Sequence, residues 1–291
     1  METTETLAQV LAITRIKKRG LSQPDRVQAL LDSGDPATVL ADLTGPALLD
    51  DPLLVQARQD INDWTRQGMS ITSVLSDHYP TRLRDVREAP ALLYHQGTLT
   101  PDDQGVCVVG SRDADDDALN VATYVSTALV QAGLTVISGL AAGIDTAAHT
   151  AALDANGRTV AVMGTGLERT YPAANKNLRE RIISNGGLIM TQFEPDATVT
   201  RASFPMRNAV MSGYGLATVV VAAGEHSGTR IQARKALDHG RGLILTERVT
   251  RETTWGAHYA HRPGVTVARR SQDVLNAVDT IIHERQLLGV Q

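Results

Sequence analysis

The sequence predicts an α/β protein: a parallel-sheet domain over residues 98–291, preceded by a small helical module over residues 1–97. Three observations carry this. From Gln104 onward, apolar runs (GVCVVGSR, LTVISGL, TVAVMGTG, GLIMTQF, ATVVVAAG, GLILTERV) alternate with helical stretches. Continuous Val/Ile runs of this kind specify parallel strands covered on both faces. Up to about Gly97 the apolar spacing is instead that of short helices. A length of 291 residues holds one large α/β domain with a small companion.

In the first part, ETLAQVLAITRI is the first expected helix, and SQPDRVQALLDSG the second, with Ser22 as N-cap and Pro24 in the first turn. DPLLVQARQDINDWTRQG is the third. Short β-like runs follow in MSITSVL and ALLYHQGTL around the tight HYPTRLRDV, so the module packs against, or starts, the next domain. At the other end, GVTVA and SQDVLNAVDTIIHERQLL read as a last strand and a closing helix.

Formal charge is −4, from 28 basic and 32 acidic residues, which gives no global attraction to nucleic acid or membrane. Any polyanion must be held locally. Only the last third is basic, with 12 Lys/Arg against 7 Asp/Glu over residues 201–291. The single Cys107 lies in an apolar strand and reads as a core residue. Without a leader-like or membrane-length run, the expected location is cytoplasmic.

Strand ends carry the chemistry. In an open parallel sheet, ligands bind beyond the carboxyl ends of the strands where the winding reverses. Three runs end in Gly110-Ser111-Arg112, in SGLAAG (Ser138, Gly139 and Gly143), and in Gly164-Thr165-Gly166. Glycine admits a phosphate close to backbone N–H groups, and the following helix presents its positive end. No G-x-G-x-x-G or GK[ST] spacing occurs, which argues against a dinucleotide site and a P-loop. Arg112, Lys176 in YPAANKN, and Arg207 with Asn208 in FPMRNAV come from the same kind of loop, and Arg forks with a Lys point charge suit phosphates.

Against this stands the acidic run DADDD after Arg112, tolerable if it lies in the first turn of the next helix. Asp145 is expected to hydrogen-bond loop N–H groups at a helix start, with His149, four residues on, as its partner. No metal-ligand spacing is found. Aromatic residues make up 3% of the chain, so no base-stacking platform is expected, and Trp64 and Trp255 read as packing anchors. Lys17 to Arg19 (KKR) reads as a solvated helix end.

The succession VVGSR, VISGLAAGIDTAAHTAAL, GRTVAVMGTGLERTYPAANKNL, FPMRN and the SGT of GEHSGTRIQARKALDHGR closely resembles the DNA-processing protein A family, DprA or Smf. The match covers about residues 70–245 and, more loosely, the helical N-terminus, where a SAM or helix-hairpin type of module is expected. The resemblance implies an extended Rossmann-like domain that binds single-stranded DNA, usually as a homodimer, and helps load the recombinase RecA during natural transformation. It assigns Arg112, Lys176 and Arg207 to the DNA surface and adds Ser227 and Gly228. It implies no cofactor, no metal and no catalysis. This sequence departs from the pattern at Ala209, where the family motif has a second Arg, and after GLILTERV, where TRETTWGAHYAHRPG replaces a proline-glycine segment. No winged-helix module of the kind many members carry is expected. The alternative is a Rossmann-like pocket that senses a nucleotide derivative or hydrolyses a nucleoside monophosphate. Such hydrolases carry PGGxGTxxE, whereas AAGEHSGTRIQA has Glu225 before the SGT and no Glu after it.

Overall fold

Helix starts in the N-terminal part are set by Thr3 at the first and by Ser or Asp with Pro at the others. The computed structural model describes residues 2–45 and 51–287, beginning with α1 (Thr4–Arg15), α2 (Gln23–Ser33), α3 (Pro36–Thr44) and α4 (Pro52–Arg66). At α2, Ser22 accepts from Asp25 N while the Asp25 carboxylate accepts from Ser22 N, a closed capping box. The sequence reading lacks α3, although Asp35-Pro36 repeats the Asp51-Pro52 start of α4: an Asp N-cap followed by Pro at the first helical position.

The chain continues through β1 (Ser70–Ser73), the single turn α5 (Thr81–Arg84) and β2 (Leu92–Gly97). Then come β3 (Gly105–Gly110), α6 (Asp116–Gln131), β4 (Thr135–Ser138), α7 (Ile144–Asp154), β5 (Thr159–Val162), α8 (Lys176–Ser184) and β6 (Leu188–Thr191). The last section is α9 (Ser203–Tyr214), β7 (Ala217–Ala222), α10 (Thr229–Asp238), β8 (Gly242–Thr246), α11 (Glu247–Glu252), α12 (Thr254–Tyr259), β9 (Val265–Ala268) and α13 (Ser271–Leu287).

The nine strands of the described residues form one sheet in the order β1-β2-β6-β5-β4-β3-β7-β8-β9. From β6 to β9 the pairing is parallel, and β1 and β2 extend the sheet by antiparallel pairing onto β6, with Tyr94 opposite Thr191 and Gly97 opposite Leu188. Strand β3 has β4 on one side and β7 on the other, so the winding reverses between β3 and β7. Ligand crevices of doubly wound sheets open at such a point.

Alternate residues of β3 feed two cores: Val106 and Val108 pack with α6, α7 and α13, while Cys107 and Val109 join the cluster on the opposite face. This is why the run is apolar throughout. Cys107 is a free, fully buried thiol, pushed up to about 12 by burial, which fits the core role. No described helix is long and apolar enough to cross a membrane.

Candidate nucleic-acid interface

The loops after β3 and β7 are tied together across the reversal of winding. Ser111 N donates to Ala222 O at 2.8 Å, and Thr229 Oγ1 donates to Gly110 O at 3.3 Å. Between them opens a crevice of about 620 Å³ whose walls include Gly110, Ser111 and Arg112 on one side and Ser227 and Gly228 on the other. Arg207 and Asn208 enter from α9, and Asn208 Nδ2 donates to Gly228 O at 3.4 Å. Seven residues expected from three separate loops thus share one cavity.

The other expected residues lie behind or beside it. Ser138 is fully buried and donates to Val108 O at 2.7 Å, so its hydroxyl is committed within the fold. At Gly139, the space a side chain would take is filled by the guanidinium of Arg207. Gly143, at φ +71°, abuts the Ser111 and Arg112 carbonyls, and Gly166 abuts those of Glu194 and Pro195. These three glycines permit close packing of protein on protein; the phosphate-cradle reading does not describe them. Gly164 faces Phe204 at ordinary contact distance. Lys176 is exposed at the start of α8, outside the crevice lining. Its neighbour Asn175 anchors that segment by donating to Leu140 O at 2.9 Å and to Thr146 Oγ1 at 2.9 Å.

Arg207 is 6% exposed, which places it under the crevice and away from a surface phosphate fork. Its Nη1 donates to Val162 O at 3.2 Å and lies 4.0 Å from Asp145 Oδ2. Burial pulls the Arg207 pKa down and pushes the Asp145 pKa up, and the attraction between the two opposes both shifts. Asp145 accepts from Gly139 N and Ala141 N, both at 3.2 Å, which is the expected helix-start role. His149 is not its partner: His149 Nδ1 lies 2.7 Å from Thr159 Oγ1. One helical turn separates the two side chains along α7, but Asp145 turns to the loop and His149 into the sheet.

The acidic run is largely neutralised. Asp116 and Asp117 occupy the first turn of α6, and Asp115 caps it while taking both arms of Arg248 at 2.7 Å, which draws its carboxyl down to about 2. Absent from the sequence expectations is an aromatic ledge. Arg112 lies over the Phe204 ring, 4.6 Å from its centre, and Tyr171, half exposed, sits 6.4 Å from the same ring. A low overall aromatic content hid this, yet Tyr171 stands in the TYP loop and Phe204 in the first turn of α9, both within motifs, where position matters more than number. Among the described residues no group of three or more His, Cys, Asp or Glu could hold a metal.

A doubly wound sheet with a crevice at its switch point, lined by Arg112, Arg207, Asp113, Asp145 and the Phe204 ring, defines a Rossmann-like α/β protein. The chain belongs to the DNA recombination-mediator protein A family, whose model matches residues 70–279. It is 32% identical over 276 residues to DNA processing protein DprA of Streptococcus pneumoniae, covering 90% of this chain and 96% of that one. With Protein Smf of Synechocystis it shares 34% identity over 217 residues, 72% of this chain but 51% of that protein. The X-ray structure of the pneumococcal protein matches with a TM-score of 0.72 and 28% identity over 94% of this chain and 98% of that one. DNA processing protein A of Helicobacter pylori, described in terms of a single-stranded DNA binding mode, shares the fold with a TM-score of 0.64 at 21% identity, over 74% and 96% of the two chains.

Proposed function

We propose that this chain binds single-stranded DNA without catalysis, through the β3/β7 crevice, and acts in the cytoplasm as a homodimer that helps load RecA during DNA uptake and recombination. The observation that carries the DNA part is the joining of Arg112, a buried Arg207 and the Phe204 ring at one switch-point crevice. In this reading Arg112 and the exposed Lys176 meet phosphates, Arg207 supplies positive potential from below, and Phe204 and Tyr171 offer faces on which bases stack. The single-stranded DNA named for the Helicobacter relative supports the same class of ligand.

Two outcomes test this by fluorescence anisotropy with single-stranded oligonucleotides over a salt series. Arg112→Ala and Lys176→Ala each weaken binding and flatten the log–log salt dependence by about 0.7. Phe204→Ala costs about 1–3 kcal/mol of binding while leaving the salt slope unchanged. If all three variants bind like the parent chain, the crevice is not the DNA site. A melting temperature raised by AMP, but by no oligonucleotide, would identify a nucleotide-sensing pocket instead.

A further inference from the structure

We propose that the DNA path does not end at the crevice: it continues over the β4–β5–β6 side of the sheet rim onto the basic loop Lys17-Lys18-Arg19 of the helical part. This rests on the DNA reading above. Helix α1 lies across the carboxyl end of the sheet: at its start Ser73, the end of β1, donates to Glu2, and at its finish Arg15 grips the loop after β6. Arg15 donates to Glu194 at 3.0 and 2.6 Å and to Asp60 at 2.6 Å, so its own charge is spent on fixing the position of the next residues. Arg26 then holds Ile16 by donating to its carbonyl.

The loop so placed carries three exposed cations. Lys17, Lys18 and Arg19 have no carboxylate partner among the described residues. From the crevice to this loop the protein surface is continuous: Phe204 meets Tyr171, Gly166 N donates to Ala197 O, and Glu168 N donates to Pro195 O, beside Glu194. Strand β6 is three strands from β3, about 14 Å at the usual spacing. Lys176 stands on the same rim, its neighbour Asn175 donating to Leu140 O in the loop after β4.

On the opposite side of the crevice, the cations at the carboxyl ends of β8 and β9 are paired. There Arg248 is held by Asp115, Arg269 meets Glu247 at 3.1 Å, Arg270 meets Asp273 at 3.5 Å and Arg251 meets Glu252 at 3.6 Å. Each of these four cations has a carboxylate beside it, and Asp113 at the crevice mouth has no cationic partner among the described residues. Arg230 and Arg234 of α10 are exposed cations without a salt bridge among the described residues, two on one helix, so that side offers a polyanion less than the three clustered cations of the loop. The path toward the helical part passes the exposed carboxylates of Glu168 and Asp196, and it is the cluster of Lys17, Lys18 and Arg19 at its end that draws a strand that way. An acidic protein segment is the other occupant that a bare basic loop could take.

The test compares oligothymidylates of about 5 and about 20 nucleotides, the shorter filling only the crevice and the longer able to reach the loop. In the full chain, Lys17→Ala/Lys18→Ala/Arg19→Ala is expected to bind the short probe unchanged. The same variant loses about tenfold on the long probe at moderate salt, with a salt slope shallower by up to about 2. A charge-preserving Lys17→Arg/Lys18→Arg/Arg19→Lys variant retains both affinities. Unchanged affinity and slope on the long probe would overturn the path and leave the acidic partner, and an equal loss on both probes would also overturn it. If the parent chain binds neither probe, it is the DNA reading that fails.

Discussion

Gly139→Ala is expected to destabilise the chain by about 1–3 kcal/mol and to weaken DNA binding with it. A Cβ at this position would coincide with Nη1 of Arg207, so the guanidinium must swing away, and the open space beside it is the crevice it lines. That movement takes it off the Val162 carbonyl and away from Asp145, between which it is almost fully buried. Moving it leaves Asp145 as a buried carboxylate without its cation, and a buried pair broken on one side costs far more than a surface pair. The check is urea unfolding of Gly139→Ala, Arg207→Ala and the double variant. Because the clash is with Arg207 itself, Gly139→Ala should add little once Arg207 is already truncated, a non-additivity of neighbours in direct contact. A Gly139→Ala chain within about 0.5 kcal/mol of the parent would show that the packing account is wrong.

This residue also shows what the sequence discloses and what it does not. The strands were readable because buried parallel strands must be apolar on both faces, as Val106 to Val109 are, and the switch-point crevice follows once strand order is known. A glycine after a strand, however, has two physical uses that leave the same letter: a ligand brought close to backbone, or another part of the chain brought close. Gly139, Gly143 and Gly166 serve the second use, and only the positions of Arg207, Ser111, Arg112 and Glu194 reveal it. Arg207 was legible as important but not as buried, since charge argues for the surface unless a carboxylate partner, here Asp145, is already placed. The Phe204 and Tyr171 ledge escaped a composition argument because a local cluster needs only two rings. His149 was misassigned to Asp145 because helical spacing brings Cβ atoms together without fixing where the side chains turn.

Acidification is expected to destabilise the fold steeply between pH about 6.5 and about 4, and His149 is the main cause. The hydroxyl of Thr159 donates to Val136 O at 2.7 Å, so its oxygen is left to accept from His149 Nδ1. That fixes the neutral tautomer with a bare Nε2, which is buried without a partner. A proton there would create an unpaired charge, further disfavoured by Arg207, and the His149 pKa is accordingly held down at about 3. His95, buried against Thr72, is held down at about 4. Both lie below the unfolded value of about 6.5, so across this window the unfolded chain binds protons that the folded chain does not. Stability is therefore fully present above pH about 6.5 and is lost as pH falls, with a limiting slope of about 2.7 kcal/mol per pH unit for the two histidines together. Asp145, whose pKa burial raises, takes up its proton more readily folded than unfolded and so opposes the loss at the acid end. Urea midpoints measured across this range should fall accordingly, and His149→Gln, which cannot titrate, should lower the limiting slope by about 1.4 kcal/mol per pH unit, even where it lowers stability at neutral pH; His239, also held down by burial, contributes in the same direction and is unaffected. A pH profile identical in parent and variant would mean that His149 binds its proton equally in the folded and the unfolded chain, contrary to the burial and the Thr159 geometry.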